Sequence, residues 1–477
     1  MSTGADQDVI VIGGGIGGMI AANRAAQLGL KATVLEQGDD RYPCNSRYTG
    51  GTLHICTRDI MLEEETQRQL IIDYSAGFVR DDLAKVISTH GRRAVRWLQE
   101  EGLKFIRASG SEHHKWTLAP PGRVRPGLDW EGRSGDVLLR TLEQQLNKRG
   151  GAVVRNTRAR SLINEGGKCT GVVAECGGVN KDYRARAVVI ADGGFQGNPE
   201  LVKRYISGHP ERLKQRGAGT GRGDGLLMAQ AFGAATTGLD RFYGHVLCRD
   251  ALTNEMLWPY PYLDPLVTAG IVVTVTGQRF VDEGRGGTYT ANFIAQLDDP
   301  LSAFTIFDHD IWEQPGRFGL IPPNPHLANE GGTMHKAADL AALAKAAGIN
   351  GVVLQATVAA YNKALAEQTE KPLSLTPLRS TKKYKAMPIV KPPFYAVPAV
   401  SGITYTMGGI VISAHAQALR EDGKAIEGLY VAGAAAGGME GGPEIAYVGG
   451  LSKGGVTGLA AAEHIAEWLG KSPAITH

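Results

Sequence analysis

The 477-residue chain is short of the features that mark several large protein classes. Its five cysteines, at 44, 56, 169, 176 and 248, form no C-x-x-C pair and no metal-ligand spacing. That excludes zinc and iron–sulfur motifs and a c-type haem attachment, so no metal is expected. An odd, scattered set in a chain this long reads as reduced and predicts a cytoplasmic protein. No apolar run reaches the length of about 20 residues that crosses a bilayer. The formal charge is only +3, with no basic run, so neither nucleic acid nor a membrane surface is expected as a partner. The polar start, Met1 to Asp8, carries no apolar segment and predicts no signal peptide.

What the chain has in excess is glycine, 64 residues, nearly twice the average share. The glycines gather beside strand and helix patterns, which suggests places where backbone meets a ligand or another backbone. The first cluster organises the rest. Val9 to Ile12 is a β-branched run, Gly13, Gly15 and Gly18 follow in G-x-G-x-x-G spacing, and Met19 to Leu28 is amphipathic. Gly13 permits the tight turn, Gly15 admits a pyrophosphate to the backbone, and Gly18 lets helix and strand pack closely. The helix N-terminus would hold the phosphates. A second strand, Ala32 to Leu35, ends in Glu36, near the distance at which an acid meets ribose hydroxyls. Strand, helix and acid in order make this a dinucleotide site, not a bare glycine turn.

A chain of this length exceeds the usual single-domain limit. The pattern divides into residues 1–234, an intervening unit at 235–391 where aromatics and prolines collect, and 392–477. The loop Asn45 to Thr52 carries small hydroxyls and paired glycines; by itself it reads as an ordinary polar turn, and the alternative is a loop lying along a flavin's edge. Helices are expected at Glu63 to Leu70, Asp81 to Ser88, Arg92 to Glu101 and Asp136 to Asn147. A small β meander is expected at Ala159 to Asn164 and Cys169 to Glu175. His113 and His114 read as exposed loop residues. Ala185 to Phe195 is a strand returning to the sheet and ending on glycines, and Gly270 to Glu283 reads as a hairpin. Gly428 to Gly433 is the last strand and Gly454 to Leu469 the closing helix. Gly217 to Gly225 has no β-branched strand before it, so it is not read as a second dinucleotide site.

The ordered motifs Gly13-Gly-Gly-Ile-Gly-Gly, Asn45-Ser, Ala191-Asp-Gly-Gly-Phe, Gly223-Asp-Gly, Gln278-Arg-Phe-Val-Asp-Glu, Thr406-Met-Gly-Gly and Gly428-Leu-Tyr-Val-Ala-Gly span nearly the whole chain. Together they resemble the fumarate reductase/succinate dehydrogenase flavoprotein superfamily, which includes 3-ketosteroid 1-dehydrogenases and tricarballylate dehydrogenases. The resemblance implies an α/β fold: a Rossmann-like FAD-binding domain with an inserted α+β cap, the active site between them. It implies FAD held by Gly13, Gly15, Gly17, Gly18, Glu36, Gln37, Asn45, Ser46, Thr49, Gly50, Gly51, Ala191, Asp192, Gly193, Gly223, Asp224, Gly433, Ala434, Leu451 and Ser452. Covalent members attach flavin through a histidine in the second motif; Arg47 and Tyr48 stand there, so the FAD is expected to be non-covalent. Ala434 replaces an acid found in many relatives, which removes one expected flavin contact.

Other departures bear on the chemistry. Tyr405 stands where fumarate reductases carry a substrate-binding His before Thr-Met-Gly-Gly. Ala446-Tyr-Val-Gly-Gly replaces Asn-Arg-Leu-Gly-Gly, and the proton-donating arginine falls on Gly287. Tyrosines in place of Arg and His exchange charge-assisted bonds for neutral ones, a poor match for two carboxylates. The resemblance to ketosteroid dehydrogenases implies a different site. Tyr447 would polarise a ketone, and Tyr289 would act as a phenolate-like base. Tyr405, Tyr48, Tyr260, Tyr262, Gly449 and Gly450 complete the pocket. The expected activity is dehydrogenation α,β to a carbonyl of a cyclic ketone, with hydride passing to flavin N5 and an unknown electron acceptor. A polycarboxylate dehydrogenase or reductase anchored by Arg241, Arg249 or Arg285 is the alternative, and a non-enzymatic flavin sensor the remaining one.

Overall fold

The computed structural model describes residues 7–122, 130–367 and 372–471; most of the polar N-terminal stretch lies outside them. Five parallel strands form the centre of the first sheet, and their β-branched residues explain it. Gln7–Ile12 lies between Ala32–Leu35 and the end of Val179–Ile190, which in turn pairs with Ala425–Val431; Ala152–Val154 extends the far side. Val9, Val11, Val34, Val188 and Val189 have no exposure, as strands covered on both faces require. Val179–Ile190 does two jobs. Its first half pairs antiparallel with Lys168–Cys176, which pairs with Thr157–Glu165 to form the expected meander; its second half joins the parallel sheet.

Close backbone packing then fixes where the helices start. A Cβ on Gly18 would sit 2.0 Å from Gly13 O, so only glycine lets the first helix, Ile16–Gln27, lie against its strand. The closing helix, Gly450–Trp468, meets the first one backbone to backbone. A Cβ on Gly454 would lie 2.7 Å from Ile16 Cγ2, and one on Gly458 2.7 Å from Gly17 O. Both helix N-termini therefore open on the same place.

The second sheet is built on Phe394–Thr406. Phe242–Cys248, Ala303–Phe307, His335–Ala337 and Lys214–Gln215 pair with it, and Ile271–Thr274 pairs with Ala303–Phe307. Four of these six strands come from residues 235–391; Lys214–Gln215 and Phe394–Thr406 come from either side of that interval.

Three local expectations are corrected. The segments Asp81 to Ser88 and Arg92 to Glu101 form one helix, Asp81–Glu100. Gly91 stays inside it because a Cβ there would lie 2.8 Å from Ile55 Cδ1. The Gly270 to Glu283 hairpin forms only at its tip, where Thr274 N donates to Gln278 O at 3.1 Å and Val273 bridges Arg279; the long partner of Ile271–Thr274 is Ala303–Phe307. The reason is Arg279, whose guanidinium is buried against Glu283 at 2.6 and 3.0 Å, with Arg379 beside it. His113 and His114 are half-buried, not exposed. Their rings lie 3.9 Å apart, His113 packs on the buried His54, and burial pushes His113 down to about 4. Among the described residues no helix is long and apolar enough to cross a membrane.

Candidate active site

One elongated cavity, about 1370 Å³ including its mouth, runs from the glycine loop to a group of tyrosines. Its first end is made mostly of backbone. Gly13, Gly15 and Gly17 line it, with Gly433, Ala434, Gly450 and Leu451 opposite. Gly13 holds φ +99°, and a Cβ there would come within 2.6 Å of Ala191 O. Gly15 is different. Its φ of −73° suits any residue, and a Cβ would meet only Ser46 Oγ at 3.3 Å, so it borders open space.

The polar residues of this end hold loops in place. Glu36 accepts from Gly14 N and Gly38 N, both at 2.6 Å, and Ser46 Oγ accepts from Ile16 N at 2.9 Å. Asn45 donates to Thr404 O at 2.7 Å and accepts from Ala218 N at 2.8 Å, which ties its loop to the second sheet and to the loop after Lys214–Gln215. Gln37 donates to Thr220 O, and Asp224 pairs with Arg158 at 2.7 and 2.8 Å. Asp192 accepts from Gly225 N at 2.7 Å, while its other oxygen, buried at the cavity, has no protein partner. Burial pushes this carboxyl up to about 7. A cavity walled by glycine backbone, two helix N-termini and an unpartnered carboxyl oxygen fits a dinucleotide's phosphates and hydroxyls.

Thr49, Ala191 and Gly193 also line the cavity. Gly18, Gly50, Gly51, Gly223, Gly449 and Ser452 do not; several of them shape the wall from behind. Gly223 begins the helix Asp224–Ala231 at φ +73°, and Ser452 Oγ donates to His54 O at 2.7 Å.

The second end is aromatic. Tyr48, Tyr243, Tyr405 and Tyr447 line it. Tyr243 and Tyr447 stack at 3.8 Å with 12° between their planes, and Tyr405 lies 5.5 Å from Tyr243. Tyr447 Oη accepts from Gly450 N at 3.4 Å. Tyr405 donates to Glu440 at 2.8 Å. Glu440 is fully buried and also takes Val448 N and Gly449 N, with Lys453 Nζ at 3.6 Å. Burial raises Tyr243, Tyr405 and Tyr447 well above the ordinary phenol value. All three are neutral phenols at pH 7, so no ready phenolate base stands in this wall.

Tyr260 and Tyr262 sit behind it. Tyr262 stacks on His245 at 4.5 Å, and the Arg216 guanidinium lies over Tyr260 at 5.1 Å. Tyr289, expected as the base, is not among the lining residues. It stacks on Phe293, and its hydroxyl accepts from Arg285 at 2.8 Å. The three candidate carboxylate anchors are engaged elsewhere. Arg285 pairs with Glu444, Arg241 with Asp240, and Arg249 lies over Phe304 with a bond to Ala303 O.

Sequence reasoning missed Tyr243, His245 and Asp264. Tyr243 Oη and His245 Nε2 are 3.0 Å apart, and His245 Nδ1 and Asp264 Oδ2 are 2.6 Å apart. The signal was the alternation in Phe242–Cys248, which puts residues 243 and 245 on one face. Asp264 had no local signal. It fits because residue 287 is glycine: a Cβ there would lie 1.9 Å from Asp264 Cγ.

Comparison with known proteins agrees with this fold. The FAD binding domain family matches residues 8–446. Urocanate reductase of Eggerthella lenta is 26% identical over 462 residues, 91% of this chain and 70% of that one. The 4-oxocyclohexanecarboxylate 2-dehydrogenase of Sinomonas cyclohexanicum is 27% identical, covering 94% and 90%. Among solved structures, 3-ketosteroid Δ1-dehydrogenase from Sterolibacterium denitrificans superposes with a TM-score of 0.74 at 22% identity, covering 97% and 99%.

Proposed function

The chain belongs to the FAD binding domain family and is an FAD-dependent oxidoreductase, and from that premise we propose that it dehydrogenates a cyclic ketone α,β to the carbonyl. The observation that carries this reading is the stacked Tyr243–Tyr447 pair in the cavity wall, two neutral hydroxyls with no competing charge from Arg241, Arg249 or Arg285. FAD, when bound, supplies the two-electron acceptor for the β-hydrogen. Its non-covalent retention is part of the proposal, since Arg47 and Tyr48 follow the Asn45-Ser46 pair and the His54 ring is buried, accepting from Thr57 N.

The residues divide the remaining work. Tyr447 donates its hydroxyl to the ketone oxygen, on which negative charge grows as the α-proton leaves. Stacking on Tyr243 and the Gly450 N–H hold that hydroxyl in place before substrate arrives. Tyr405 is committed to Glu440 and steadies the turn that begins the closing helix. Tyr48, edge-on to Trp130 and Trp258 at 5.7 and 6.2 Å, adds aromatic surface that suits an apolar ring. A relative named as a 4-oxocyclohexanecarboxylate dehydrogenase and a fold neighbour named as a ketosteroid dehydrogenase support a ring ketone as the substrate class.

The test is anaerobic bleaching of the yellow holoprotein by a panel of cyclic ketones and, separately, by citrate-like polycarboxylates. Bleaching by ketones is expected; bleaching by polycarboxylates alone overturns the reading. On a responsive ketone, Tyr447→Phe is expected to lower turnover on the order of a hundred- to a thousand-fold, with the flavin spectrum unchanged because the ring's volume is kept.

A further inference from the structure

On that reading of the site, we propose that Tyr243, His245 and Asp264 form a proton relay. Tyr243 would take the substrate's α-proton at its hydroxyl oxygen while passing its own proton to His245 Nε2.

Hydrogen-bond bookkeeping requires this direction. The Asp264 carboxylate can only accept, and it lies 2.6 Å from His245 Nδ1, so Nδ1 carries the hydrogen. In a neutral imidazole the other nitrogen is then an acceptor. Tyr243, 3.0 Å from Nε2, must donate to it. Its oxygen keeps lone pairs for the cavity that it lines. A neutral phenol is a poor base, but one that hands its proton on as it receives another is not. Asp264 stabilises the imidazolium that forms, as in other His–Asp pairs. The step balances: the α C–H bond breaks, its electron pair remains on the substrate as the enolate, one proton is gained at Tyr243 Oη and one passes to Nε2. In the reverse direction the same relay protonates a substrate.

The surroundings hold the relay in this state. Burial lowers the pKa of His245, Asp264 opposes that, and Arg216 adds to it. The other groups facing the pair are neutral: Tyr262 stacked on the imidazole, Tyr447 on Tyr243, Tyr405 across the sheet, and Thr288 of the adjoining helix, bonded to Gly244 O. Asp264 also accepts from Val246 N at 3.0 Å and occupies space that any side chain at 287 would take. Tyr243 is the catalytic residue of the three; His245 and Asp264 act through it as positioning residues.

The experiment compares holoprotein carrying Tyr243→Phe, His245→Gln or Asp264→Asn with the unaltered chain, on whichever substrate panel bleaches the flavin. Tyr243→Phe is expected to lower the bleaching rate on the order of 100- to 10,000-fold, with FAD content and KM little changed. In the unaltered protein the rate should fall with decreasing pH at a point below the ordinary imidazole value, because burial lowers His245, and His245→Gln should lose that limb. Nitrogen-15 histidine spectra give a readout independent of turnover: a neutral, Nδ1-protonated His245 whose titration midpoint falls further in Asp264→Asn. Should one variant fail to retain FAD, the others carry the test. Ketone bleaching that Tyr243→Phe leaves within threefold, or an Nε2-protonated His245, overturns the relay and leaves the ketone reading standing. Bleaching by polycarboxylates alone overturns the ketone reading, and the relay is then judged by Tyr243→Phe on those acids. Bleaching by neither panel overturns both.

Discussion

The two ends of the cavity hold their ligands with different materials. At the glycine end, the groups that face the space are backbone N–H donors and helix N-termini, and carboxylates such as Glu36 act by pinning loops. At the tyrosine end the backbone recedes and side chains from four distant segments form the wall: Tyr48, Tyr243, Tyr405 and Tyr447. The first end carries carboxylates, and burial together with the nearby Asp224 and Glu36 raises the Asp192 carboxyl. The other presents neutral hydroxyls stacked on rings. A backbone site tolerates little added volume, because nothing can rotate away. A side-chain site is sensitive to the loss of single hydroxyls, because each has one task.

Three substitutions probe that contrast. The largest effect is expected from Gly15→Val. The backbone there accepts valine, and a Cβ meets only Ser46 Oγ at 3.3 Å, so the protein should fold. The side chain fills space the pyrophosphate needs, and the protein should purify colourless. Stoichiometric FAD in the variant, measured by absorbance after denaturation, would show that the glycine end is not the phosphate site.

A middle-sized effect is expected from Asp192→Asn in FAD-free protein. Burial raises the Asp192 carboxyl from 3.8 to about 7. Between those values the folded state keeps a proton that the unfolded chain has lost, so this group's contribution to stability falls as pH rises from about 4 to 7. At about 1.4 kcal/mol per pKa unit the upper bound is roughly 4 kcal/mol, reduced by the solvent that reaches this half-buried group. Urea denaturation across that range should show the unaltered protein losing stability faster than the variant. Parallel curves would mean that Asp192 ionises freely and that the glycine end is wetter than its geometry indicates.

The smallest effect is expected from Tyr289→Phe. Its hydroxyl meets Arg285, away from the lining of the cavity, so turnover on a responsive ketone should stay within about threefold of the unaltered enzyme, one neutral-to-charged hydrogen bond outside the site being lost and the ring's volume kept. A drop comparable to that of Tyr447→Phe would return Tyr289 to the site and move the boundary of the tyrosine end.

The sequence alone determined the glycine end. Turn, strand, helix and acid lie within about thirty consecutive residues, and Gly18 is required by a local contact, the 2.0 Å approach of its Cβ to Gly13 O. Local chemistry at fixed spacing leaves a readable mark. Tyr447 could be singled out because it sits in a recognisable glycine context near the chain's end. The tertiary structure decided what lies beside it. Tyr243 reaches Tyr447 only because Phe242–Cys248 pairs with Phe394–Thr406, whose Tyr405 ring lies against Gly450 at the start of the closing helix. Asp264 reaches His245 only because residue 287 is glycine. Tyr289, close in spacing to a matching motif, is turned toward Arg285 because Arg279 is drawn into the buried Glu283 pair and the expected hairpin gives way to a turn. Contacts between segments far apart in the chain depend on sheet register and on which side chains can be buried together, and no spacing within one segment encodes that.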